Sequence, residues 1–205
     1  MKERVLIGAG GFAREVKAHM KCFDMKCFVD KQYYQPNNQN IFELSQFDPY
    51  KMEALIVISN PNERKALMKR LPNNTNFFSY IHPSAQLLSD DITIGKGTFI
   101  SANCIITTNI QIGDHSQLNL NTTIGHDTKI GHFFTTAPGA KISGNCLIGD
   151  CVYVGTNASI KEKIHICNQA TIGLQAGVIK NITEPGIYIG CPAKKHTPIP
   201  TITPS

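Results

Sequence analysis

His126 is followed at once by Asp127, and Gly144 stands eighteen residues beyond the histidine. An imidazole titrates near pH ~6.5, so its neutral form can take a proton from an attacking nucleophile. A carboxylate beside it can orient or polarise the ring. A glycine offers a backbone N–H that no side chain obstructs, the kind of donor that stabilises the oxyanion of a tetrahedral intermediate. These three residues suit acyl transfer, on the condition that the fold stacks position 144 upon position 126.

The second half of the chain supplies a fold that would do so. Stepping by six from Ile94 reaches fifteen positions ending at Val178, and all but Thr136 are branched aliphatics, with no slip in phase. A helix repeats at about 3.6 residues and a strand at about 2, so neither alone explains an unbroken six. Three hexads instead close one turn of a triangular coil, and successive coils stack as parallel strands about 4.8 Å apart. The aliphatics point inward, and small residues two places earlier (Cys104, Ser116, Ala140, Ala158, Ala170 and Ala176) ease the corners. The glycines that follow the aliphatics (Gly95, Gly113, Gly125, Gly131, Gly149, Gly155 and Gly173) are expected to supply the backbone freedom of the turns. Residues eighteen apart then lie one above another, His126 and Gly144 among them.

The first eighty residues alternate between strand and helix signals. Val5-Leu6-Ile7 ends in Gly8-Ala9-Gly10-Gly11; a helix is expected from Phe12 to Lys21, and strands at 27–30, 54–58 and 76–81. Lys31 to Asn40 shows no β pattern, and Pro61 can open a helix running to about Leu71. Such alternation implies parallel pairing and a Rossmann-like α/β unit over 1–82, followed by the all-β coil over 83–190 and a turn and tail over 191–205, with 197–205 expected to be disordered. Gly8-x-Gly10-x-x-Ala13 follows a strand, opens a helix and precedes Asp30, as in a dinucleotide fingerprint. Eighty residues hold only one mononucleotide half and no second catalytic domain, which argues against a dehydrogenase. The glycines either receive phosphates at the helix N-terminus or merely make a tight turn.

Composition excludes several classes. The formal charge of +5 is scattered, with no dense basic block, so nucleic acid is not expected as a partner. Seven cysteines lack a CxxC pair or regular spacing, so neither a disulfide framework nor a metal site is expected, and reduced thiols in the cytoplasm fit best. The start shows no cleavage-site pattern, and no apolar stretch approaches the ~18–20 residues that span a membrane.

Asn119-Leu120-Asn121-Thr122-Thr123-Ile124-Gly125-His126-Asp127, Ala137-Pro138-Gly139-Ala140 and Ser143-Gly144-Asn145 resemble the active-site stretch of the sugar acyltransferases that carry a Rossmann-like N-terminal domain. Ile81-His82-Pro83-Ser84-Ala85 and Gly190-Cys191-Pro192-Ala193-Lys194 extend the resemblance over nearly the whole chain. That family includes N-acetyltransferases of nucleotide-linked 4-amino-4,6-dideoxy sugars and the sialic acid O-acetyltransferases. The resemblance implies a left-handed parallel β-helix, acetyl-CoA as co-substrate, no metal, and a homotrimer with active sites at subunit interfaces. It makes His126 the general base, Asp127 its acidic neighbour, Asn119 a polar active-site residue and Gly144 N–H the oxyanion donor. The glycine loop is read as receiving a nucleotide-sugar at Gly8, Gly10 and Gly11, with Asp30 near its ribose or base, and the resemblance adds Asn60 and Arg64 to that pocket; His82 either faces the sugar of a neighbouring subunit or closes the domain junction. Gly155, Gly173, Lys180, Pro192 and Lys194 are candidates for the coenzyme A groove. Some relatives carry a second histidine where this chain has Thr135. His19, His115, His165 and His196 read as ordinary surface or loop residues. The reading is N-acetylation of a nucleotide-linked 4-amino-4,6-dideoxy sugar for a surface glycan. Sialic acid O-acetylation is the alternative; a zinc carbonic anhydrase-like protein, whose histidine spacing His115, His126 and His132 do not reproduce, or a scaffold without turnover, stands further off.

Overall fold

The computed structural model describes residues 2–197; the tail expected to be disordered falls, from 198 on, outside the described residues. The N-terminal unit comprises β1 (Glu3–Ile7), α1 (Gly11–Met20), β2 (Cys27–Val29), β3 (Ile41–Glu43), β4 (Met52–Ile56), α2 (Pro61–Met68) and β5 (Asn76–Phe77). They form a parallel sheet in the order β3-β2-β1-β4-β5. Alternate residues of the two central strands feed two cores. Val5, Ile7, Ala54 and Ile56 pack with Leu67 of α2, while Leu6 and Leu55 pack with Ala13 and Val16 of α1. Burial on both faces is why β1 and β4 read as unbroken apolar runs. β3, a half-buried edge strand after the polar loop, has no such run to announce it.

From Tyr80 onward the chain winds as a three-sided parallel β-helix. The first face stacks Tyr80–Ile81, Phe99–Ile100, Gln117–Leu118, Thr135–Thr136, Tyr153–Val154, Ala170–Ile172 and Gly186–Ile189, with Lys194–Lys195 added antiparallel at the end. The second stacks Gln86–Leu87, Ile105–Ile106, Thr123–Ile124, Lys141–Ile142, Ser159–Ile160 and Gly177–Val178, and the third runs from Thr93–Ile94 to His165–Ile166. On the third face Ile94, Ile112, Ile130, Ile148 and Ile166 register at intervals of eighteen. Ile81 pairs with Ile100 and Leu87 with Ile106, so the first circuit holds one extra residue. The even six therefore begins only at Ile94. The inward aliphatics form one continuous core. Thr136, the polar exception, is buried, and its hydroxyl meets Thr122 Oγ1 at 2.7 Å and accepts from Asn119 N–H, which removes the penalty for a buried polar group.

The glycines after the aliphatics do not carry the turns. The left-handed backbone falls three residues after each aliphatic, without a break from Gly97 through Asn103, Asn109 and Asp127 to Gln175. Asparagine tolerates that conformation, and it fills five of these positions. The glycines instead permit coils to approach: a Cβ on Gly125 would lie 2.6 Å from Gly144 N, and one on Gly113 2.6 Å from the Gly131 backbone.

The α/β unit sits on the lower rungs of the first face. Phe99 packs into the α1 side of its core and stacks on Tyr80. Phe77 of β5 meets the His115 ring edge-on, and His115 stacks on Phe133. His115 is thus buried in the seam, contrary to its surface reading, and burial pushes its pKa down to about 4.

Candidate functional site

His126 lies in the turn between the second and third faces, the edge of the prism opposite the face that carries the α/β unit. Its side chain is 57% exposed. Nδ1 lies 2.7 Å from Asp127 Oδ2, so Asp127 accepts an Nδ1–H and leaves Nε2 with its lone pair. Asp127 is held below the usual carboxylate range, first by His126 and then by the Asn109 side chain. The stacking condition is met: a Cβ on Gly144 would sit 2.6 Å from His126 Nε2 and 2.8 Å from Cε1. The imidazole lies where any side chain at 144 would be, and Gly144 is buried beneath it. Among the described residues, Gly144 N–H donates to no protein acceptor. The neighbouring corner shows what a side chain does in this column. There Asp114 Oδ1, His132 Nδ1, Asp150 Oδ1 and Asn168 Oδ1 each accept the backbone N–H of the coil below.

A Gly144→Ala substitution has a clear expected outcome. The methyl must push the imidazole off the 144 amide, but the obstacle is an exposed side chain, and Gly144 does not have a left-handed φ. We expect a Tm within a few degrees of wild type and a fall in kcat of at least about tenfold, measured by thermal melts and steady-state kinetics. A full-rate variant would show that the stacked pair is not the reacting centre.

The other candidates are spread more widely. Asn119 stands one corner away; its Oδ1 accepts Leu120 N–H, and it does not meet His126 within the chain. Gly8 is left-handed, with φ of 118°, and its N–H donates to Phe28 O. Gly10 caps α1 with no side chain, the first turn of α1 carries no acid, and a Cβ on Gly10 would meet nothing within 4 Å. With Gly11 it leaves an open helix N-terminus of the type that receives anions. Asp30 is not free toward it, because both carboxylate oxygens accept from Arg70, a residue the fingerprint does not include. Asn60 and Arg64 are occupied elsewhere. Asn60 Oδ1 accepts the N–H groups of Asn62 and Glu63 as the N-cap of α2. Arg64 is fully buried in the seam, where it donates to Thr135 Oγ1. His82 Nδ1 is engaged by Ser84, and its ring packs on His19 near the far end of α1, about 12 Å along the helix axis from the glycine loop.

Gly155 and Gly173 are accounted for by close coil approach, each with a virtual Cβ at 2.7 Å from the coil above. Lys180 shares the column of His126 and Gly144, three coils above the histidine, about 14 Å away, with Lys161 and Lys163 exposed between. Pro192 and Lys194 are exposed, and the turn at 190–193 docks on the last rung of the second face through Gly177 N–H to Gly190 O and Ala193 N–H to Gly177 O. His115 and His132 lie on a different corner from His126, and no group of three metal-ligating side chains occurs among the described residues. Among those residues no helix is long and apolar enough to cross a membrane.

No family model matches the chain. GDP-perosamine N-acetyltransferase of Escherichia coli O157:H7 is 39% identical over 83 residues, 40% of this chain and 37% of that protein. The solved structure of PerB from Caulobacter crescentus, in complex with CoA and GDP-perosamine, superposes with a TM-score of 0.85 at 20% identity, covering 96% of this chain and 98% of that one. WeeI from Acinetobacter baumannii AYE gives a TM-score of 0.86 at 25% identity over 96% of this chain and all of that one. Over nearly the whole chain the fold is that of PerB and WeeI. That architecture is a Rossmann-like unit on a left-handed β-helix, while the matched stretch spans about a third of the length of the curated relatives.

Proposed function

We propose that the protein transfers an acetyl group from acetyl-CoA to the 4-amino group of a GDP-linked 4-amino-4,6-dideoxy sugar, in the cytoplasm, for surface glycan synthesis. The observation that carries this reading is the His126–Asp127 pair laid over the side-chain-free amide of Gly144. The sugar ammonium loses a proton to solvent, His126 Nε2 takes the next as the amine attacks the thioester, and Gly144 N–H donates to the oxyanion. Collapse expels the coenzyme A thiolate and leaves the amide. The likeness to GDP-perosamine N-acetyltransferase favours GDP over other nucleotides.

The geometry also favours a homotrimer with composite sites. The open N-terminus of α1 belongs to the unit on the first face, and His126 occupies the opposite edge of the prism. A nucleotide-sugar held by the glycine loop is more readily brought to the histidine of a neighbouring copy than to that of its own chain. The lysines at 161, 163 and 180 suit the phosphates of coenzyme A along the same edge, with Pro192 and Lys194 toward its adenine end. Thiol release from acetyl-CoA, with GDP-, UDP- and dTDP-linked 4-amino sugars and sialic acid as separate acceptors, tests the reading. Release only with sialic acid would replace it with O-acetylation, and release with none would remove it.

A further inference from the structure

The Asp127 carboxylate that engages His126 is itself held. Its second oxygen, Oδ1, accepts from Asn109 Nδ2 at 2.6 Å, and Asn109 N–H donates to Asp91 Oδ1 at 2.7 Å. Thr108 Oγ1 donates to the same Asp91 carboxylate. Asp91, Asn109 and Asp127 are eighteen residues apart and stack directly below the catalytic corner. We propose that Asn109 is a positioning residue for the reaction: its amide clamps Asp127 so that His126 keeps its proton on Nδ1 and presents Nε2 as the base. The kinetic consequence rests on the proposed function; the tautomer it sets does not.

Asparagine also recurs at left-handed corners for conformational reasons, as at Asn103, Asn121, Asn145 and Asn157. The side chain separates the two roles. An isolated carboxylate on an exposed corner rotates among rotamers, and a neutral imidazole without a fixed acceptor at Nδ1 divides its proton between both nitrogens. Asn109 removes that freedom by donating a side-chain N–H to the carboxylate's other oxygen, from a residue whose backbone N–H is fixed by Asp91.

The test uses the full chain and ¹⁵N spectra of the His126 ring under alkaline conditions, with steady-state kinetics alongside. Asn109→Gly keeps the left-handed backbone without strain and deletes only the amide. We expect the proton of His126 to redistribute toward Nε2, and kcat to fall about fivefold, the worth of one net hydrogen bond, with KM for both substrates unchanged. Asn109→Asp keeps the backbone preference but faces Asp127 with an acceptor, and should release the tautomer in the same way even if the glycine variant folds poorly. Asn103→Gly, at a left-handed turn on a different edge of the prism, should change neither readout. An unchanged His126 tautomer in both Asn109 variants overturns the proposal. A shifted tautomer in a chain that acetylates nothing would sustain the clamp while removing the function.

Discussion

Replacement of His126 by alanine is expected to cut kcat by about 10²- to 10⁴-fold, the contribution of a positioned general base, with KM for acetyl-CoA and for the acceptor changing little. The folded state has little stake in this side chain. It is more than half exposed, and among the described residues its single side-chain partner is the exposed Asp127. The fold is held instead by the aliphatic ladder beneath it, so melting should be nearly unchanged. The split between lost turnover and retained stability distinguishes a base from a structural histidine such as His115, whose removal from between Phe77 and Phe133 would show first in the melt. Asp127 adds a check on sign. Its carboxyl lies below the ordinary carboxylate range, so it stays ionised as the pH falls through the range where imidazole titrates, and the acid limb of the rate profile should report the base and not the acid beside it. A loss in kcat/KM below about tenfold would mean that another group takes the proton.

The stack that makes His126 plausible was legible because the β-helix is a linear code. A period of six with one buried aliphatic per turn dictates an eighteen-residue circuit, and the pairing at Thr123↔Lys141 and Ile124↔Ile142 carries it to the site. The α/β unit was legible where strands are buried on both faces, as in β1 and β4, and illegible at β3, whose half-buried residues lack a pattern. What single-residue motifs could not give was pairing between distant segments. Arg64 carries no local mark that its guanidinium reaches residues 133–135, and Asp30 none that Arg70 takes its carboxylate. The turn glycines misled for a related reason: a small residue looks alike whether it needs a left-handed φ or room for the next coil. The asparagines at 103, 109, 121, 145 and 157 held the better signal, at the same period of six. Asn119 and His126, close in sequence, are parted by a corner because six residues carry the chain across a whole face.

Arg64→Ala is expected to destabilise the protein by about 3–5 kcal/mol, a large share of the roughly 5–15 kcal/mol of a typical domain. The guanidinium is fully buried, with no ion pair among the described residues, so desolvation opposes it and pushes its pKa down to about 9. Seven acceptors offset that cost. Nε donates to His115 O; one terminal nitrogen donates to Ile58 O, Ser59 O and Gln117 Oε1; the other donates to Phe133 O, Phe134 O and Thr135 Oγ1. These acceptors come from both units, and the side chain rivets the α/β sheet to the first face. Charged hydrogen bonds contribute about 1.5–3 kcal/mol each, and several together outweigh the burial of one weakly hydrated cation. Alanine relieves the desolvation but strands three backbone carbonyls, those of Ile58, His115 and Phe133, in a dry seam and leaves a cavity, so the loss wins. Arg64→Lys should recover little, because one ammonium cannot address carbonyls on three sides, and this separates fork geometry from charge. Denaturant unfolding should show a lowered midpoint for both variants, with the α/β unit and the β-helix melting in separate transitions for the alanine. A midpoint within about 0.5 kcal/mol of wild type would mean that Phe99 and the Phe77–His115–Phe133 stack hold the seam without the arginine.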